Sequence, residues 1–126
     1  MLVEGLYALL TNSTALKAIV GNRITMSVLP KNPTFPAITF KVISGVPTIN
    51  LDQTATTVSR VEIDCWAMNY LPAAQAQQAL HTLLDGFIGT LPDGTSVIYT
   101  TTQDGPDFYE PDSLLYRSSL DVFFTV

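Results

Sequence analysis

Charged side chains are scarce in this sequence. Asp, Glu, Lys and Arg together make up 13% of its 126 residues, about half the usual share. Such scarcity indicates either that other chains cover part of the surface or that threonine, asparagine, glutamine and serine supply the polarity of a solvent face. The six basic residues are scattered singly, and the formal net charge is −5. A nucleic-acid site built on a basic patch is therefore not expected, because neutralising phosphates needs clustered Lys and Arg.

Histidine and cysteine, which supply many catalytic groups and zinc ligands, occur once each. Cys65 lies on the apolar face of a predicted strand, where we expect a small buried core residue. A disulfide framework within one chain is excluded. Any Ser–His–Asp or Cys–His arrangement would depend on His81, and its place beside the core side of a predicted helix favours a surface or boundary histidine. One His and one Cys cannot form a zinc site alone, and no cofactor or metal site is predicted.

Long apolar runs and glycine-rich loops are missing as well. No apolar stretch approaches the ~20 residues that span a bilayer, and the N-terminus lacks the basic start and unbroken apolar run of a signal peptide. The seven glycines stand singly, mostly at turns, which excludes a glycine-rich phosphate loop. From these absences we expect a soluble, cytosolic chain that does not bind a membrane.

The stretch from Val58 to Ile88 organises the rest of the chain. From Val58 to Met68 apolar and polar residues alternate, which is typical of a strand with one face buried and one face wet. Pro72 then suits the first position of a helix. From there apolar residues recur at helical spacing as far as Phe87. Strand and helix are predicted to cover each other and to form the core.

The flanking segments add two short helices before this stretch and strands on both sides of it. Strands are predicted at Ala37–Ser44 and Ser113–Val126, with a weaker one at Thr95–Gln103. The connection Gly45–Thr57 is either a long loop or a continuation of both neighbouring strands into a projecting hairpin arm. The whole, residues 1–126, is predicted to be one α+β domain: a mainly antiparallel sheet of four to five strands with helices packed on one face.

An acidic, proline-spaced segment lies between the last two predicted strands and contains Asp104, Asp107, Glu110 and Asp112. The spacing does not follow the EF-hand pattern of calcium ligands. A solvated, turn-rich acidic loop is the favoured interpretation.

The outward faces of the predicted strands carry most of the remaining charge, together with two large aromatic residues. Exposed aromatics beside charged pairs are typical of the core and rim of a protein interface. This surface either docks on a neighbouring subunit or is covered by a second helix, and the sequence does not separate the two. The candidate interface residues are Arg60, Glu62, Asp64, Trp66, Arg117, Asp121 and Phe123.

Several stretches together resemble the tail-completion proteins of long-tailed bacteriophages. They follow in order over nearly the whole chain: Gly21–Ile24, Pro36–Phe40, Arg60–Ala67 with Tyr70 and the helix after it, and Tyr116–Phe124. Thr25-Met26 lacks the aromatic residue frequent after the Arg-Ile pair, and Ala37 replaces a frequent tyrosine. Neither departure touches a site.

The resemblance implies a non-enzymatic virion subunit, similar to tail terminators. These form a ring, here expected to be hexameric, at the head-proximal end of the tail tube, where it stops tube growth and meets the head connector. Implied partners are other copies of the chain, the tail-tube protein and the connector, and assembly would take place in the host cytoplasm. The acidic balance suits a channel that DNA passes without sticking. A head-closure protein and a small-molecule-binding or enzymatic domain using His81 are the alternatives.

Two segments are candidates for contacts with tube and connector. The first is the arm, with Asn50, Leu51, Asp52 and Gln53. The second is the acidic segment, with Asp104, Asp107 and Glu110.

Overall fold

The computed structural model describes residues 2–31, 33–49, 55–110 and 115–126. Its helices are α1 (Leu2–Asn12), α2 (Thr14–Val20) and α3 (Tyr70–Leu84). Ser13 caps α2 by accepting a hydrogen bond from the Leu16 backbone N–H at 3.4 Å, and Gly21 ends it with a positive φ of 58°; serine and glycine are favoured at these two positions. Helix α3 begins at Tyr70, two residues before the predicted start, so Pro72 lies within its first turn, where a missing N–H still costs nothing.

Five strands form the main sheet in the order β1-β2-β3-β7-β6. They are β1 (Ile24–Met26), β2 (Ala37–Ile49), β3 (Ala55–Ala67), β6 (Tyr99–Glu110) and β7 (Leu115–Thr125). All neighbours pair antiparallel except β1 and β2, which are parallel. Two short strands, β4 (Gly89–Thr90) and β5 (Ser96–Val97), form a separate hairpin. The predicted α+β class with a mainly antiparallel sheet is confirmed.

The connection between β2 and β3 is the projecting hairpin, one of the two alternatives that the sequence leaves open. Pairing runs without a break from Val46↔Val58 to Ile49↔Ala55. Strand β7 reaches only as far as Val58 and Thr57, so the last described pairs of this hairpin have no further strand on the β7 side among the residues that the structure describes. Residues 50–54, which include the candidate contacts Asn50, Leu51, Asp52 and Gln53, lie outside the described residues.

The acidic segment after Gln103 is strand rather than loop, so that prediction is wrong as far as Glu110. Strand β6 pairs with β7 up to Glu110↔Leu115, with an irregularity between Asp104 and Asp107. Pro106 falls within this bulge, where the ladder does not need its missing N–H. Proline, glycine and acidic residues are depleted in strands, so this segment indicates a loop. Pairing with the long strand β7 overrides that preference. Residues 111–114 lie outside the described residues.

One buried cluster joins the helices to one face of the sheet. Its largest members are Phe40 and Phe124, and the predicted inward residues of β3 (Val61, Ile63 and Cys65) are 0% exposed. Helix α3 contributes Ala76, Leu80 and Leu84, while α1 and α2 contribute Leu6, Leu10, Leu16 and Val20. Strand β3 lies at the centre of the sheet with α3 packed on it, as the alternating and helical patterns predict.

Candidate functional site

The outward face of β2, β3 and β7 is a sheet surface that no helix covers among the described residues. All three helices bury their apolar side chains in the cluster on the opposite face. Alternation along β3 sends Arg60, Glu62, Asp64 and Trp66 outward, and β7 adds Arg117, Asp121 and Phe123 from its own outward positions. Of the two alternatives for this face, the covering helix is therefore absent from the part of the chain that the structure describes.

Trp66 and Arg117 form a fixed pair on this face, near the end of the sheet away from the hairpin. They lie directly opposite each other on β3 and β7, and the guanidinium carbon of Arg117 is 5.4 Å from the centre of the Trp66 ring. This distance is within the range of a cation–π contact. On its other side, the indole N–H of Trp66 donates a hydrogen bond to Thr39 Oγ1 at 3.0 Å. The ring is thus held in one orientation by two neighbouring strands.

For Asp64, the sequence predicts the correct face of the sheet but the wrong degree of burial. Its outward position is predicted correctly, but it is 7% exposed rather than wet. The hydroxyl of Ser119 donates a hydrogen bond to Oδ1, and Nη1 of Arg117 lies 3.9 Å from Oδ2. A carboxylate leaves water at acceptable cost only when it is paired and hydrogen-bonded. Asp64 therefore anchors Arg117, which in turn lies against Trp66.

A second ion pair occupies the end of the face nearer the hairpin. Nη2 of Arg60 lies 3.0 Å from Oδ2 of Asp121, with side chains 44% and 20% exposed. Glu62 stands between Lys41 on β2 and Asp121 on β7 in the register of the sheet. Phe123 is half-buried and lies opposite Arg60. Exposed cross-strand pairs are worth only ~0.2–1 kcal/mol each, so this end is a polar margin rather than a source of stability.

Three tyrosines form a cluster at the far end of the sheet, on the side that the helices cover, where Tyr116 lies opposite the inward-facing Ala67. Sequence reasoning missed them. The ring of Tyr116 lies 4.9 Å from that of Tyr109 and 6.0 Å from that of Tyr70. Met68 and Leu71 beside them are 66% and 64% exposed. The tyrosines come from β6, β7 and the start of α3, so no local spacing in the sequence brings them together. We call Tyr70, Tyr109 and Tyr116 the tyrosine cluster.

The acidic candidates lie away from the outward face, at the β6 edge of the sheet. Asp104 is exposed, and Asp107 and Glu110 follow on the same strand. The structure does not describe the side chains of the latter two. The candidate set thus divides into a connected outward face and a separate acidic edge.

His81 is a boundary residue of α3, as the sequence predicts, with its side chain 39% exposed. Its Nδ1 lies 3.0 Å from Thr102 Oγ1, and its Nε2 lies 3.8 Å from Asp85 Oδ2. Thr102 Oγ1 also donates a hydrogen bond to Asp85 Oδ1 at 3.0 Å. A nucleophilic triad needs a hydroxyl that the histidine can direct at a substrate, whereas this hydroxyl is engaged by the carboxylate. The three residues tie α3 to β6.

An open groove of about 560 Å³ lies on another side of α3, between it and the start of α2. Its lining comes from Ser13, Ala15, Gln75, Gln78, Ala79, Thr82 and Leu83. No ionisable side chain is among these described lining residues, so the groove offers neither acid nor base. His81 and this groove do not form a common site.

Cys65 is buried in the core beneath the outward face. Burial, reinforced by the nearby Asp64 carboxylate, raises the pKa of its thiol far above the usual range. Because the thiolate is the reactive form, Cys65 is an inert core residue. Among residues 2–31, 33–49, 55–110 and 115–126, no three His, Cys, Asp or Glu side chains are grouped as metal ligands would be. No helix in these ranges is long and apolar enough to cross a membrane.

A chain with a similar fold is found in a solved structure. A solved structure described as the virion of a native gene transfer agent particle contains a similar chain, with a TM-score of 0.74. The two chains share 17% sequence identity over 96% of this chain and 90% of that one, which shows a common fold. No curated protein matches the sequence.

The family comparison covers almost the entire chain. The family model described as Tail completion protein gp17 matches residues 4–126. The predicted resemblance is therefore confirmed: the chain belongs to this family of tail completion proteins and is a structural component of a bacteriophage-type virion tail.

Proposed function

We propose that this chain is the subunit of a ring, of about six copies, that ends the tail tube and joins it to the head connector. The observation that carries the proposal is the outward sheet face, where Trp66 and Arg117 are held in place and no helix of the described part of the chain covers them. A virion tail component associates with other tail or head proteins, and this face is the surface best suited to such an association.

The chemistry of the face matches that of strong interface centres. Tryptophan, tyrosine and arginine dominate the residues whose truncation most weakens protein complexes. Here Trp66 is fixed by Thr39, and Arg117 is fixed by Asp64. A side chain that is already ordered loses less entropy on binding than a free one. Glu62, Phe123 and the Arg60–Asp121 pair would form the rim.

The hairpin and the β6 edge supply the other contacts of the proposed ring. The arm that carries Asn50, Leu51, Asp52 and Gln53 would reach the tail-tube protein. The acidic positions of β6, with Asp104, Asp107 and Glu110, would meet the connector or a second copy of the chain. A net charge of −5 favours passage of DNA through the ring without adhesion. No cofactor and no catalytic step belong to this role.

The first experiment tests the face by truncating its tryptophan. Ring formation is measured by light scattering coupled to size-exclusion chromatography across concentration, and by negative-stain microscopy, with free protein and on tail tubes of the same particle. We expect Trp66→Ala to raise the half-assembly concentration more than tenfold, because such a residue contributes ~2 kcal/mol or more. Trp66→Phe keeps an aromatic ring but loses the hydrogen bond to Thr39 and part of the ring area, and gives a second, milder variant.

Two matched variants separate this role from general damage. Ile88→Ala truncates a side chain that is 68% exposed away from the face, and His81→Ala tests the enzymatic alternative. Both should assemble as the unmodified protein does. Trp66→Ala protein that melts normally yet forms rings unchanged would contradict the proposal, as would a strict dependence of function on His81.

The second experiment tests the arm. Replacing residues 49–55 with Asn-Gly closes the hairpin between the paired residues Thr48 and Thr56 with a favoured two-residue turn and keeps the hydrogen bonds between Thr57 and Val126. We expect rings of normal size that no longer stop tube growth, measured as tube length in micrographs. Shortened protein that still caps tubes would show that the arm is not the tube contact. Binding to the connector without any tube binding would indicate the head-closure alternative.

A further inference from the structure

The two edges of the main sheet carry charges of opposite sign. Three of the six basic residues lie at the β1–β2 edge: Arg23 directly before β1, Lys31 between β1 and β2, and Lys41 on β2. Two others, Arg60 and Arg117, are committed to ion pairs on the outward face. At the opposite edge, β6 contains Asp104, Asp107 and Glu110 and no basic residue.

Both edges also have unpaired strand length among the described residues. Strand β1 covers only Ile38 to Phe40 of β2, so the part of β2 beyond Phe40 has a strand on its β3 side alone. Strand β6 is the last strand on the other side of the sheet. On its outer side the Gly86 N–H occupies the Thr100 carbonyl at 3.0 Å, and the described backbone hydrogen bonds leave the rest of that edge without a partner. Unpaired backbone edges are templates for another strand.

The directions of the strands decide how two copies could meet. From β2 to β3, from β3 to β7 and from β7 to β6 the direction reverses each time, so β6 runs opposite to β2. A second copy placed beside β6 in the same orientation therefore presents its β1 and β2 antiparallel to β6. Antiparallel pairing is the commoner arrangement between strands. Copies in the same orientation are what a ring with one rotation axis contains.

Charge then selects this contact over the others. Two β6 edges repel each other, and so do two β1–β2 edges, because each pair brings like charges together. Only β6 of one copy against the β1–β2 edge of the next joins acidic to basic positions. If these exposed charges served only to keep the sheet edges of different copies apart, the β6 edge and the β1–β2 edge could carry the same sign. Opposite signs allow one directed contact and suppress the rest.

We propose that subunits of this protein associate head to tail, with the β6 edge of one copy docked along the β1–β2 edge of the next. This inference rests on the ring proposed above and specifies which surfaces of neighbouring copies meet. The outward face with Trp66 then lies next to each of these contacts on the same sheet. There it can extend the contact between copies or bind the tail-tube protein and the connector.

The test reverses the charge of one edge at a time. One variant carries Lys31→Glu and Lys41→Glu, and the other carries Thr101→Lys, Gln103→Lys and Asp104→Lys, which outweigh the remaining Asp107 and Glu110 of β6. All five side chains are exposed, so both variants should remain folded, which thermal melting checks. We expect each variant alone to need at least about tenfold higher concentration to form rings, because each then brings like charges together.

Mixing the two variants gives the decisive measurement. In an equimolar mixture, alternating copies place acidic against basic positions at every contact, so rings should return at a concentration within about threefold of the unmodified protein. The combined variant with all five substitutions should likewise assemble alone. Folded variants that assemble normally by themselves, or a mixture that fails to recover, would overturn the edge contact.

The unmodified protein separates this inference from the ring itself. If it forms no ring, free or on tail tubes, both proposals fail. If it forms rings while the edge variants behave like it, only the edge contact fails and the ring stands.

Discussion

At the scale of single residues, Gly5 shows how tightly the first helix lies against the β4–β5 hairpin. A Cβ atom placed on Gly5 would lie 2.9 Å from Leu91 Cβ and would overlap the Asp93 carboxylate. In an open helix, Gly to Ala stabilises by ~1 kcal/mol. Here we expect Gly5→Ala to lower the free energy of unfolding by about 1–3 kcal/mol through overpacking, measured by urea denaturation.

Gly45→Ala is the matched control for this substitution. Its added Cβ would lie 3.5 Å from Thr57 Cγ2, an ordinary van der Waals contact, so the free energy of unfolding should change little or rise slightly. A Gly5→Ala protein as stable as this control would show that α1 can move away from the hairpin at no cost.

Asp93 gives a residue-scale prediction about pH. The Thr95 backbone N–H donates to its Oδ1 at 3.0 Å, and this bond leads the causes that lower the pKa of Asp93 from 3.8 to about 2. A carboxyl with a lowered folded pKa stabilises the fold above its ordinary pKa and loses that contribution as the pH falls through the folded pKa. We therefore expect the stability advantage over Asp93→Asn to shrink between pH 4 and pH 2.

Melting temperatures of both proteins across this range are the measurement. Their difference isolates Asp93, because the other carboxyls are common to both. Thr95→Ala keeps the backbone donor and should keep most of the effect. Melting curves that stay parallel from pH 4 to pH 2 would contradict the assignment.

At the scale of elements, α3 and the bulge of β6 depend on each other. The side chain of Gln77 donates a hydrogen bond to the backbone carbonyl of Ser119 at 2.7 Å, next to the irregular pairing of β6 and β7. We expect Gln77→Leu to reduce the free energy of unfolding by about 1–2 kcal/mol, because it leaves a part-buried carbonyl without this donor. Gln75→Leu, on the exposed side of the same helix, should stay within about 0.5 kcal/mol; equal losses in both would assign the effect to leucine itself.

The elements differ in how far the sequence predicts them. Strand β3 and helix α3 are clear because each follows a single period and buries one face. Strand β6 is not, because its proline, glycine and acidic residues indicate a loop, and only its pairing with β7 makes it a strand. The outward face follows from alternation in β3 and β7, whereas the burial of Asp64 and the tyrosine cluster depend on partners distant in sequence.

At the scale of the whole molecule, the proposed contact between sheet edges predicts a response to salt. Exposed charges act over ~10 Å at 0.1 M ionic strength and ~3 Å at 1 M. We expect the half-assembly concentration of rings to rise several-fold between 0.05 M and 0.5 M NaCl, measured by light scattering. Assembly that is independent of salt would mean that opposite edge charges do not hold the copies together.

The hairpin and the tyrosine cluster lie at opposite ends of β3, which has 13 residues and so spans ~40 Å. In the proposed ring every copy points the same way, so one rim would bear all the hairpins and the other rim all the tyrosines. Such a ring would have two different ends and could bind a tube in only one orientation. The order of tube and head along the tail axis would then be determined by the structure of each subunit, before any partner binds.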